Sequence, residues 1–177
     1  MADARIETFV AAARDYVRRA TAAELDGSDV SLAFVDHYLD KTRSAGEIKD
    51  PVLALVAPAI GAYFGEVAIA RFGGRWVLPS DEPSTWSVEL APPDSGVWLQ
   101  FYPVGMAAEA LRHDDVEGYD SSFNARPERM AQLGDLLAAA PPVDENYFYS
   151  LTGRFETLEH ALEILVELER QRREEQN

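Results

Sequence analysis

The chain contains no cysteine among its 177 residues. Disulfides, thiolate metal sites and cysteine nucleophiles are thereby excluded, and the absence fits a reducing compartment. Basic residues are scarce as well. Sixteen Lys and Arg against 31 Asp and Glu leave a formal charge of −15, and no segment is net basic. Contact with nucleic-acid phosphates needs a Lys/Arg surface, so nucleic acid is disfavoured as a partner, and so is an anionic membrane. Histidine is limited to His37, His113 and His160, which lie in separate segments without a His-Glu-x-x-His pair. No metal site is expected from them. There is no phosphate loop and no nucleophile elbow. Gly73-Gly74-Arg75-Trp76 precedes a strand instead of joining a strand to a helix, so it is not a dinucleotide fingerprint. No cofactor and no catalytic constellation follow from these motifs. The first residues carry acids at Asp3 and Glu7 and no apolar run with a cleavage site, so no secretory signal is expected and a cytoplasmic location is.

What is present is ordinary for a folded domain: 47% hydrophobic and 27% charged residues. A chain of this length can bury about 70% of its unfolded surface, enough for its own core. Without internal repeats or low-complexity linkers, residues 1–177 read as one domain. It divides into an N-terminal helical pair (1–46), a core helix with sheet and helices (50–139), and a C-terminal helix (154–177).

The helical pair follows from periodicity. Ile6, Phe9, Val10, Ala13 and Val17 recur at helical spacing over Ala2–Ala23. Ser28 or Asp29 can cap a second helix that runs to about Ser44 with Leu32, Val35 and Leu39 on one face. Pro51–Ala70 then carries a single charge, Glu66. Its twenty residues are long enough to span a bilayer. Pro58, Gly61, Gly65 and Glu66, and the absence of flanking basic clusters, point instead to a buried central helix. Asp50-Pro51 is a start signal for it, Pro58 predicts a kink or break near Val56–Ala57, and Gly73-Gly74 predicts a left-handed cap. Ala57, Gly61 and Gly65 form a small-residue stripe that lets another backbone come close.

Three strands are predicted at Arg75–Leu78, Thr85–Leu90 and Val97–Tyr102, each carrying one of Trp76, Trp86 and Trp98. A helix over Val104–His113, an acidic loop over Asp114–Asn124, a helix from Pro127 to about Ala139 and a last helix from about Thr157 to Glu174 complete the pattern. The fold class is therefore α+β, with helices flanking a small antiparallel sheet of about three strands and a helical C-terminus.

Few residues stand out as chemistry. Glu66 in an apolar run must face solvent, pair with a cation or serve a function, and Arg71 or Arg75 is the expected partner. The acidic loop has His113 and Asn124 where a calcium loop needs Asp and Glu, so it reads as solvated. The tryptophans and Tyr147-Phe148-Tyr149 could line an aromatic pocket, although strand packing is the commoner use. A ligand site around Glu66, Arg75, Trp76 and Tyr102 is the one small-molecule reading the residues offer.

Between Ile60 and Leu111 the order of parts is familiar. Gly61-Ala62-Tyr63-Phe64-Gly65-Glu66-Val67 leads to Gly73-Gly74-Arg75-Trp76-Val77, then strands, then Phe101-Tyr102-Pro103-Val104 and a helix with Met106 and Leu111. This resembles bacterial proteins grouped as domain of unknown function 3806 and related uncharacterised families. Ser80-Asp81-Glu82-Pro83-Ser84 stands where such families show an Asp-x-x-Gly turn. The resemblance implies a fold and carries no catalytic residues. Helices around a small sheet also occur in the often acidic immunity proteins of polymorphic toxins. The sequence thus leads to an acidic, non-enzymatic protein-binding module, an immunity or adaptor protein with a basic protein partner. The alternatives are a small-ligand-binding or hydrolytic protein and a homo-oligomer joined through the C-terminal helix.

Overall fold

A computed structural model describes residues 3–176. The predicted helix start at Ala2 lies outside them. Helix α1 (Ala4–Thr21) is capped by Asp3, whose carboxylate accepts the Arg5 amide at 2.9 Å, and it buries Ile6, Ala13 and Val17. A 3-10 turn (Asp29–Ser31) leads into α2 (Leu32–Ser44), which buries Leu32, Val35, Tyr38 and Leu39. Helix α3 (Asp50–Phe72) is the centre of the fold. Thirteen of its 23 residues are buried. By length and composition it could cross a membrane, but most of its apolar window is buried inside the protein.

Of the kink or break expected near Val56–Ala57, the break does not occur: the helix runs on through Pro58. Proline removes the bond to the carbonyl four residues back, here that of Ala54, an exposed residue, where water can replace it. The cap is also different. Lys49 occupies the N-cap with Asp50 inside the first turn, and Gly73 ends the helix at φ 78°, ψ 140°, positive in φ but outside the left-handed helical region.

The glycine stripe admits a backbone, as expected, at Gly61, and a side chain instead at Gly65. A Cβ on Gly61 would lie 2.5 Å from the Cα of Val104, so the backbone of α4 (Pro103–Arg112) crosses α3 at that point. A Cβ on Gly65 would lie 2.3 Å from the Trp76 ring, so here the close neighbour is an indole.

The sheet has four strands, one more than the sequence reading gave: β1 (Gly74–Val77), β2 (Ser87–Leu90), β3 (Leu99–Phe101) and β4 (Phe123–Ala125). They are antiparallel in the order β1-β2-β3-β4. The register aligns Trp76, Val88, Phe101 and Phe123 in one row, and Gly74, Leu90, Leu99 and Ala125 in another. Between these lies a polar row, Arg75, Glu89, Gln100 and Asn124. Successive side chains point to opposite faces, so the apolar rows cover α3 and α4 while the polar row faces away. Trp86 lies just before β2 and packs with Ile6 and Ala62 in a small satellite cluster, edge-on to Phe9 at 5.6 Å.

The C-terminal half closes the core. Helix α5 (Pro127–Ala138) and the short α6 (Glu145–Tyr149), which contains the aromatic run, precede α7 (Leu151–Glu175). Helix α7 starts six residues earlier than predicted. Ser150 caps it by accepting the Gly153 amide at 2.9 Å, and Asp36 on α2 accepts the Leu151 and Thr152 amides at 2.7 and 3.1 Å. Leu151, Phe155, Leu158, Ala161, Leu162 and Leu165 are buried, so α7 is part of the core.

Candidate functional site

The sheet divides the four residues of the predicted ligand site. Trp76 lies on the helix-facing side, where its Nε1 donates to Glu66 Oε1 at 2.7 Å. Arg75 lies on the opposite side and pairs with Glu89 at 2.8 Å. Tyr102 follows Phe101, which is buried, and occupies the N-cap position of α4. The structure joins Glu66 to Trp76 and does not bring Arg75 or Tyr102 to them. The expected ion pair of Glu66 is corrected at the same time, because Arg71 pairs with Glu159 at 3.1 Å. Five residues along a helix is about 500°, which turns Arg71 away from Glu66.

A more chemically developed surface lies at α6 and the start of α7. Phe148 is 50% exposed and Val143 54% exposed. Beside them a cleft of about 370 Å³ is lined by Met106, Phe123, Tyr147, Phe148, Arg154 and Leu158, among others. Phe148 meets Tyr149 edge-on at 5.0 Å, and the Arg154 guanidinium lies 4.6 Å from the Phe148 ring centre. The half-exposed aromatic face is thus held rigid from beneath by a cation.

Acidic groups surround this corner. Burial pushes the Tyr149 hydroxyl up from its ordinary value, and the negative fields of Asp115, Asp114, Glu109 and Glu145 act in the same direction. Asp114, Asp115, Glu117 and Asp120 are exposed. Their loop is anchored at both ends. Val116 is buried, and the Asp120 carbonyl rests on Gly105, where a Cβ would come within 1.7 Å. His113 opens the loop in a left-handed conformation, φ 59°, with its ring 4.9 Å from that of Tyr149. Among the described residues no three His, Asp or Glu side chains are placed to hold a metal ion.

Beneath the corner lies a buried ion pair that the sequence reading missed. Arg154 Nη2 donates to Glu109 Oε2 at 2.7 Å, with side-chain exposures of 12% and 8%. Ser121 Oγ donates to the other carboxylate oxygen at 2.6 Å, and Arg154 Nε donates to the Phe148 carbonyl at 3.0 Å. One salt link therefore ties α4, the acidic loop, α6 and α7 together. Tyr147 adds a second tie. Its hydroxyl donates to Glu156, which holds its proton and pushes its pKa up to about 12. Glu109 carried the same signal as Glu66, a lone acid inside an apolar helical run. Phe148 was legible as an aromatic but not as an exposed one. Comparison with protein-family models, with curated proteins and with solved structures returned no match for this chain.

Proposed function

We propose that the protein is a non-enzymatic protein-binding module of the bacterial cytoplasm, an immunity or adaptor protein, and that its α6 face receives a basic segment of the partner. The observation that carries this reading is the half-exposed Phe148 packed on Tyr149, whose ring meets His113 and whose hydroxyl lies in the field of Asp114 and Asp115 of the acidic loop 114–120. Exposed aromatics anchor interfaces, and a like-signed rim steers an oppositely charged partner and fixes its register. A net charge of −15 extends the same attraction over the whole surface. The resemblance of residues 60–111 to domain of unknown function 3806 belongs to this proposal, and an adjacent toxin gene would decide for immunity.

The test is pull-down from lysate with the wild type, Phe148→Asp and Asp114→Asn/Asp115→Asn side by side. A basic partner that is lost with Phe148→Asp, and that binds more weakly in high salt with the charge variant, supports the reading. Recovery of no partner, together with a small molecule retained in native mass spectrometry, rejects it.

Self-association is the second reading. An open groove of about 660 Å³ between α5 and α7 presents Ile164, Leu168 and Leu136, the last 46% exposed. Because α7 is part of the core, truncating it would unfold the chain. Light scattering on Leu136→Glu is the suitable test, and a dimer that this variant abolishes supports the reading.

A further inference from the structure

In a chain with nearly twice as many acids as bases, one cleft departs from the pattern. It lies between Gly96–Trp98, the first turn of α5 and the outer half of α7, and has a volume of about 200 Å³. Arg126, Arg129 and Arg172 line it, with the half-buried Trp98 beside them and Leu165 at its base. Glu169 is the hub: Arg172 lies 2.5 Å from its carboxylate, Arg129 3.6 Å and Arg173 3.9 Å. The Arg172 hydrogen bond, seconded by Arg129, holds the Glu169 carboxyl below its usual range. Glu128 is the second acid in the lining. Three arginines against two carboxylates in the lining leave the cleft net cationic by one charge.

Arg126 sharpens the point. It is exposed and has no side-chain partner among the described residues. It also stands at the N-cap of α5, and no side chain caps that helix end. Twelve residues of aligned peptide dipoles thus add positive potential to the same opening. Guanidinium forks match the geometry of planar carboxylates and of phosphates. The volume falls below the range of about 300–1,000 Å³ typical of drug-sized ligands, and corresponds to about seven waters.

We propose that this cleft is a binding site for a compact oxyanion, a phosphate or a short carboxylate, gripped by Arg126 and Arg172 and screened on one side by the Trp98 indole. The site shares no residue with the α6 face, and it stands or falls independently of the protein-binding reading.

The test is thermal unfolding with inorganic phosphate, citrate and chloride at matched ionic strength. A saturable rise in Tm of about 6–10 °C is expected at a hundredfold excess over Kd. A rise in phosphate alone identifies a tetrahedral anion, and a rise in citrate alone a carboxylate. Arg126→Gln, which breaks no hydrogen bond or ion pair among the described residues, should weaken the affinity about tenfold to a hundredfold. Arg14→Gln, equally unpartnered but on α1, should leave it unchanged. An equal rise in chloride, a rise without saturation, or an undiminished response in Arg126→Gln overturns the proposal.

Discussion

The carboxylate of Glu66 accepts the indole hydrogen of Trp76 at 2.7 Å. The bond joins α3 to β1 across the Gly73–Gly74 turn, and it forms only because Gly65, one residue earlier, has no Cβ to displace the indole ring. Its worth can be measured. A hydrogen bond to a charged acceptor contributes about 1.5–3 kcal/mol. Glu66→Ala should lose about 1–2 kcal/mol in denaturant titration, whereas Glu66→Gln keeps an acceptor oxygen and should lose less than about 1 kcal/mol. Equal losses would mean that the charge, not the bond, matters.

The same glycine-to-alanine change should have opposite signs at two helical positions. At Gly61 the new Cβ meets the backbone of α4, at 2.5 Å from Val104 Cα, where nothing can yield cheaply. Overpacking of about 1–3 kcal/mol outweighs the helix-propensity gain of about 1 kcal/mol. Gly134 on α5 has nothing within 4 Å of an added Cβ. There Gly→Ala should stabilise by about 0.5–1 kcal/mol. Differential scanning calorimetry reads both, and a Gly61→Ala protein as stable as wild type would show that α3 and α4 can separate.

The Glu109–Arg154 pair should be strongly coupled. Removing one partner of a buried pair leaves an uncompensated charge and costs about 3–5 kcal/mol. Glu109→Met and Arg154→Met should each approach that loss, whereas the double variant should be much less destabilised than the sum. A double-mutant cycle with no coupling would contradict the geometry, in which each side chain is largely buried.

Tyr147 gives the pH dependence. Its folded pKa is raised to about 12 from the ordinary phenolic value of 10.0, chiefly by its hydrogen bond to Glu156. The folded state then holds the phenolic proton more tightly than the unfolded state does. The contribution is complete below pH 10 and is lost as the pH rises through about 12. Tyr147→Phe should flatten that part of the stability profile, as followed by urea unfolding between those pH values. An unchanged alkaline slope would show that the bond contributes nothing.

The periodic parts of the chain were legible and the pairings were not. Helix α1, helix α3 and the three tryptophan-bearing segments announce themselves by apolar spacing, Pro51 and Gly73-Gly74. Strand β4 is only Phe-Asn-Ala, too short for alternation to register, and it exists because Phe123 continues the row of Trp76, Val88 and Phe101. The start of α7 was hidden for a different reason. Ser150 is a recognisable cap, but Thr152 and Gly153 weaken the helical pattern locally, and the compensating acceptor, Asp36, lies more than a hundred residues away. Glu66 and Glu109 were equally conspicuous as lone acids. One found an indole and the other an arginine 45 residues away, and spacing cannot reveal either.

Asp36 closes the first turn of α7 from the far end of the chain. A nascent chain that has left the ribosome only as far as α6 therefore exposes the apolar flank of α2 and a carboxylate with no amides to accept. Helices α1, α3 and α4 can dock during synthesis, since their contacts are made of earlier residues. The core cannot seal until the last 25-residue helix is out, so a stall or an early stop before α7 should yield a sticky, protease-sensitive species and not a smaller folded one.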